Sequence, residues 1–165
     1  MQELFQMSNE IQLKTTINGI EYDLTVPARL LASDFLRDNL NLTGTHVGCE
    51  HGICGSCTIK IDGLTARSCL KFAVQLDGKK VETVESFKEK PETRNILEKF
   101  KAHHSLQCGF CTPGFLMVID ELLKSKIKFS ENEIREALSG NLCRCTGYEN
   151  IIKAAKEILA HKGIK

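Results

Sequence analysis

Gly48-Cys49-Glu50-His51-Gly52-Ile53-Cys54-Gly55-Ser56-Cys57 places three cysteines within nine residues, spaced Cys-x4-Cys-x2-Cys, and Cys69 follows after eleven intervening residues. This is the plant-type [2Fe–2S] ferredoxin spacing. Three thiolates so close in sequence can grip one small cluster only if the chain curls around it. Gly48, Gly52 and Gly55 supply backbone that curls cheaply and lets N–H groups approach sulfur. Those N–H groups favour the extra negative charge of a reduced cluster, so the loop tunes the potential as well as the fit. A structural zinc site pairs two short cysteine knuckles, which this quartet lacks. His46 and His51 flank the loop and, with four thiols already present, read as neighbours of the site and not as ligands. Cys49, Cys54, Cys57 and Cys69 are the predicted ligands of a first [2Fe–2S] cluster.

The flanks of this loop read as mixed β and α. Residues 11–17 alternate apolar and polar, Asn18-Gly19 follows, and residues 20–26 continue extended, which predicts a hairpin closed by a type I′ turn. Thr58 to Ile61, Asp62-Gly63 and Leu64 to Arg67 predict a second hairpin, and residues 81–84 a last short strand. Between the hairpins, Leu30, Leu31, Phe35, Leu36 and Leu40 fall mostly at helical spacing, which predicts a helix over 30–40. One helix across a small mixed sheet is the layer arrangement expected of such a pattern.

A second quartet, Cys108, Cys111, Cys143 and Cys145, lies beyond the polar stretch Glu85-Ser-Phe-Lys-Glu-Lys-Pro-Glu92, whose charge run and proline read as a linker. Domains are therefore predicted at 1–86 and 87–165. The second part reads as wholly helical. Residues 94–104 form one amphipathic run. Thr112 as N-cap and Pro113 at the first helical position open another that reaches Lys124. Ser130 and Glu133 form a capping-box pair ahead of a third, which Ser139-Gly140 ends. Residues 149–161 form the fourth, with Gly163 as its stop. Short loops between four helices predict a bundle.

Cys108-Gly-Phe-Cys111 and Cys143-Arg-Cys145 thus sit at junctions between helices. The helix that starts after Cys111 favours thiolate there. A second [2Fe–2S] cluster is the natural reading by count, with zinc the alternative this spacing leaves open.

Composition agrees with a folded, intracellular redox protein. The chain has 165 residues, 42% hydrophobic and 26% charged, and its formal net charge is +1. Balanced charge gives no electrostatic case for nucleic-acid binding. No apolar run approaches the ~20 residues of a membrane span, and MQELFQMSNE lacks the basic and apolar regions of a secretory signal. Eight cysteines in a chain long enough to bury a core point to metal binding in reducing cytoplasm more than to disulfides. His103-His104 reads as a solvated helix end, and Lys153, Lys156, Lys162 and Lys165 with Glu157 as the polar face of the last helix.

Gln107-Cys-Gly-Phe-Cys-Thr-Pro-Gly114, followed by Gly140-Asn-Leu-Cys-Arg-Cys-Thr-Gly-Tyr148, resembles the signature of the iron–sulfur small subunit of the molybdenum hydroxylases, the xanthine oxidase, aldehyde oxidoreductase and carbon monoxide dehydrogenase group. Leu42-Thr-Gly44, residues 48–57 and Ser68-Cys-Leu70 match the same family, so the resemblance spans residues 11–155. It implies an α+β chain, with an N-terminal β-grasp ferredoxin domain and a C-terminal four-helix bundle, each holding one [2Fe–2S] cluster. It implies a large molybdopterin-binding partner, whose pterin can take a cytosine dinucleotide form, and a medium FAD-binding partner in a heterotrimer. Gln107 and Cys145 are the implied pterin contacts. The implied function is electron relay from molybdopterin to flavin during a hydroxylation, with an aldehyde as the suggested substrate. The alternative is a free-standing two-cluster electron carrier. Substrate chemistry is not expected on this chain, and Phe110 and Phe115 are expected at the partner interface.

Overall fold

The computed structural model describes residues 9–125 and 127–160. The expected end of the last helix at His161, its stop at Gly163, Lys162, Lys165 and the N-terminal eight residues lie outside the described residues. The first half is built from β1 (Glu10–Ile17), β2 (Ile20–Pro27), a short helix α1 (Ala32–Asp34), β3 (Thr58–Ile61), β4 (Leu64–Arg67) and β5 (Lys80–Glu82). The strands form one mixed sheet in the order β2-β1-β5-β3-β4, with β1 and β5 parallel and the other neighbours antiparallel.

Both hairpins form as the turn residues dictate. Ile17 pairs with Ile20 across Asn18 (φ 52°) and Gly19 (φ 85°), and Ile61 pairs with Leu64 across Asp62 (φ 52°) and Gly63 (φ 89°). Positive φ at both central positions is the type I′ geometry. The alternation of β1 buries Leu13 and Ile17 on a core that includes Val26, Phe35, Leu36 and Val81.

Two elements are shorter than their patterns suggest. The helix expected over 30–40 covers only Ala32–Asp34 before passing into a π-helical turn, Phe35–Asn39. Leu30 and Leu31 are drawn into extended pairing: Ala73 N–H donates to Leu30 O at 2.7 Å, and Ala32 N–H to Lys71 O at 2.8 Å. The strand expected over 81–84 stops at Glu82, because Thr83 is captured by Asn18. Thr83 N–H donates to Asn18 Oδ1, and Asn18 Nδ2 to Thr83 Oγ1, each at 2.8 Å.

The second half contains α2 (Pro91–Ala102), α3 (Thr112–Lys124), α4 (Glu131–Leu138) and α5 (Glu149–Ala160). They surround a core that includes Ile96, Phe100, Phe115, Met117 and Ile158. The capping box is present at α4, where Ser130 N–H donates to Glu133 Oε2 at 2.7 Å and Ser130 Oγ accepts from Glu133 N–H at 3.3 Å. At α3 the helix begins one residue early. Cys111 is the N-cap, and Thr112 Oγ1 is buried without a hydrogen bond among the described residues.

The polar stretch between the halves is ordered, unlike a free linker. Val84–Lys88 winds into a 3-10 turn that buries Ser86 and Phe87, and Thr93 Oγ1 donates to Phe87 O at 2.8 Å. Phe87 joins the helical core. The halves also meet along α3, where Lys60 of β3 pairs with Asp120 and Thr65 N–H donates to Glu121 Oε2 at 2.8 Å. Phe115, expected at a partner interface, is fully buried in this core, whereas Phe110 is 47% exposed.

Candidate metal centres

The loop that carries Cys49, Cys54 and Cys57 leaves the π-helical turn and ends at β3. It bends through Glu50 (φ 59°), Gly52 (φ 83°) and Gly55 (φ 75°), a run of left-handed residues that turns backbone N–H groups inward. Cys54 N–H points at Cys49 Sγ, 3.4 Å away, and the amides of His51 and Ile53 also face that sulfur. These donors hold the Cys49 thiol down at about 6. Cys69 arrives in a 3-10 turn immediately after β4, not on the strand itself, and its sulfur contacts that of Cys57. Burial, with the Cys57 sulfur beside it, pushes Cys69 up to about 11. Gly52 has a steric role too, since a Cβ there would lie 2.5 Å from Leu70 Cδ1.

His51 Nδ1 is bonded to the Cys49 carbonyl. His46 donates from Nδ1 to Phe110 O at 2.8 Å and stacks on the Phe110 ring at 4.8 Å. Each histidine bonds a backbone carbonyl beside the site through Nδ1.

The second quartet gathers from two junctions. Cys108 and Cys111 precede α3, and Cys143 and Cys145 lie between α4 and α5. Cys108 and Cys145 are exposed, with their sulfurs 3.5 Å apart. Cys111 and Cys143 are buried and in contact with each other. Burial first, and then the Cys143 sulfur, push Cys111 up to about 12, which outweighs the thiolate preference expected at the start of α3. Burial also acts upward on Cys143, but Thr146 reverses it: Oγ1 donates to Cys143 Sγ at 3.1 Å and N–H at 3.5 Å, lowering the thiol. Tyr148 OH accepts from Cys143 N–H at 3.0 Å. Gln107 stands exposed beside Cys108.

The eight sulfurs therefore gather two by two: Cys49 with Cys54, Cys57 with Cys69, Cys108 with Cys145, and Cys111 with Cys143. None is in a disulfide. Among the described residues no three Cys, His, Asp or Glu side chains close on a single ion. Two pairs per quartet, ringed by N–H and O–H donors, suit a centre of two metals with two thiolates on each, as in [2Fe–2S] ligation. Cation charge is also what the buried thiols need: Cys69 and Cys111 become good thiolates only once a metal compensates the burial and the neighbouring sulfur.

The two loops are tied directly to each other. Leu142 N–H donates to Cys54 O at 2.9 Å, Asn141 Nδ2 donates to Gly55 O at 3.0 Å, and Arg67 Nη2 donates to Gly140 O at 2.6 Å. Sequence reasoning missed Asn141, Leu142 and Thr146 as parts of the site. They stand inside the second cysteine motif, but spacing alone does not say which atoms they reach.

Comparison with known proteins adds the rest. Residues 83–156 match a family described as "[2Fe-2S] binding domain", and residues 42–105 one described as "2Fe-2S iron-sulfur cluster binding domain". The chain is 51% identical over 155 residues to the caffeine dehydrogenase subunit gamma of Pseudomonas sp. (strain CBB1), covering 92% of each chain. It is 46% identical over 158 residues to the nicotine 6-hydroxylase small subunit of Paenarthrobacter nicotinovorans, covering 96% of this chain and 95% of that one. Among solved structures it superposes on a chain of quinoline 2-oxidoreductase from Pseudomonas putida 86 with a TM-score of 0.87 at 46% identity, covering 93% and 95%.

Proposed function

The chain belongs to the iron–sulfur small-subunit family of the molybdenum hydroxylases, and we propose that it relays electrons within such an enzyme from the molybdopterin site of a large subunit to an FAD-bearing medium subunit. The observation that carries this reading is the pairing of eight thiols into two quartets whose loops are hydrogen-bonded to each other. Cys49 and Cys54 would hold one iron of the first [2Fe–2S] cluster, with Cys57 and Cys69 on the other. Cys108 with Cys145, and Cys111 with Cys143, would do the same for the second.

A [2Fe–2S] cluster, when bound, takes up and gives back one electron at a time. This chain's residues set where and at what potential. The amides of Cys54, His51 and Ile53 and the Thr146 hydroxyl donate to ligand sulfurs, and each such bond favours the more negative state. The Leu142 N–H to Cys54 O bond joins the backbone next to Cys143 to a residue of the first quartet at 2.9 Å, a short connection between the two loops. Cys108 and Cys145 expose the second quartet on the side where Gln107 also lies, and we assign the pterin contact to Gln107 and Cys145. Ile53, Leu70 and Phe72 are large apolar side chains exposed around the first quartet, and they mark the face we assign to the flavin subunit.

We place the domain boundary at 86/87, so that residues 1–86 hold the first cluster and 87–165 the second. Phe87 belonging to the helical core supports that position. Among the described residues no helix is long and apolar enough to cross a membrane. Eight thiols kept for metal favour the reducing cytoplasm. For the substrate of the complex we favour a nitrogen heterocycle over the aldehyde suggested by the family's breadth, since caffeine, nicotine and quinoline stand in the names of the relatives above. The test is metal analysis and EPR of the purified complex. About four irons per copy of this chain and two distinct [2Fe–2S] signals that appear on adding a substrate heterocycle are expected. A colourless chain, or one holding zinc, would refute the reading.

A further inference from the structure

We propose that Asn141 is a positioning residue that fixes the separation of the two thiol quartets. Its side-chain amide holds the loop bearing Cys54 and Cys57 against both the segment leading to Cys143 and the start of α3. The inference rests on reading both quartets as cluster sites, and it concerns a residue with no role as a ligand.

Three segments that carry cysteines meet at this side chain. Asn141 Nδ2 donates to Gly55 O at 3.0 Å, across 86 positions of sequence. Because a carbonyl oxygen only accepts, the amide is oriented with Nδ2 toward Gly55. Thr58 Oγ1 donates to the same oxygen, so that Gly55 O is fully engaged. On the other side lies Gly114 of α3, three residues after Cys111. A Cβ at Gly114 would fall 2.3 Å from Gly55 O and 2.5 Å from Asn141 Nδ2. A Cβ at Gly55 would fall 2.5 Å from Gly140 O and 2.7 Å from Asn141 Nδ2. Both contacts are possible only for glycine, and the amide fills the space that the two missing side chains leave.

The amide itself is 1% exposed, and its Oδ1 has no hydrogen-bond partner among the described residues. A buried polar side chain with half of its capacity unused is a poor device for stability alone. Its position gives it another use. Asn141 N–H is bonded to Leu138 O at the end of α4, and the next residue, Leu142, donates its N–H to Cys54 O. The side-chain clamp on Gly55 and the backbone bond to Cys54 are adjacent rungs, and together they set the register of one cysteine loop on the other. Electron relay between fixed centres depends on such register, because the rate falls as donor and acceptor are moved apart.

The test uses the assembled complex carrying Asn141→Asp or Asn141→Ala. The carboxylate repels Gly55 O, and alanine removes the donor. The readouts are iron content, the magnetic interaction between the two reduced clusters by EPR, and the rate of electron transfer between them by stopped flow. Expected are about four irons per chain, a weakened interaction, and slower transfer between the clusters. A role in stability alone would lower the unfolding temperature and leave the magnetic interaction unchanged, and that result overturns the proposal. Loss of the second cluster with retention of the first in both variants also overturns it, because Asn141 would then serve only its own loop. Should neither variant assemble, Gly114→Ala pushes the same junction apart from the α3 side and is judged by the same readouts. Absence of two [2Fe–2S] signals in the unmutated complex would instead refute the functional reading itself.

Discussion

Lys60 of β3 and Asp120 of α3 form an ion pair with both side chains out of water, joining the strand that leaves the first quartet to the helix that leaves the second. Glu82 contacts Lys60 at 2.5 Å and Lys90 at 2.8 Å, and Lys124 contacts Asp120 at 3.0 Å. Desolvating such a pair offsets much of its attraction, so its removal as a unit and its disruption should differ sharply. Lys60→Met is expected to cost about 3–5 kcal/mol by leaving buried carboxylate charge short of a partner. The double variant Lys60→Met with Asp120→Leu should recover most of that loss. Urea unfolding of the three proteins checks it, and a double variant no more stable than the single would count against the argument.

Glu82 predicts the acid sensitivity of this network. Burial alone would push its carboxyl up, but Lys60, Lys90 and Lys124 outweigh that and hold it at about 2, against an ordinary value of 4.5. The folded value lies below the unfolded one, so the unfolded chain binds the proton first as pH falls. The contribution is complete above about 4.5 and disappears between about 4.5 and about 2. Glu82→Gln should flatten that part of the acid-unfolding curve followed by circular dichroism. Loss of the clusters in acid is common to both proteins, so the difference between the two curves reports Glu82.

Cys57→Ser should remove one cluster and spare the other, because Cys57 pairs with Cys69 inside the first quartet. Iron is expected to fall to about half, with the EPR signal of the helical domain retained. Cys111→Ser should produce the reciprocal loss. Full iron in either variant contradicts the pairing.

Gln107→Ala should leave both clusters loaded, since the residue is exposed and contributes no sulfur. Reduction of the second cluster by substrate in the assembled enzyme should slow, while reduction by dithionite stays normal. Unchanged substrate-driven kinetics would remove Gln107 from the pterin contact.

What could be read along the chain was local. Asn18-Gly19 and Asp62-Gly63 specify their turns within two residues, Ser130 and Glu133 their cap within four, and the cysteine spacings the size of the centre that each loop can enclose. Errors arose where a distant strand or side chain competed with a local pattern. Backbone bonds from Ala32 to Lys71 and from Ala73 to Leu30 drew Leu30 and Leu31 out of the expected helix, Asn18 ended the last strand at Glu82, and burial overrode the helix start at Cys111.

The amino-acid order thus determined by itself that this protein has two thiol quartets, one in a strand-rich half and one in a helical half, because ligand type and short spacing are properties of contiguous residues. Only the tertiary structure decided which sulfurs stand together and how the quartets are joined. Asn141 meets Gly55 across 86 positions and Lys60 meets Asp120 across 60, and such contacts follow from how α3 and the segment after α4 pack on β3 and the loop before it, which no periodicity in the chain encodes.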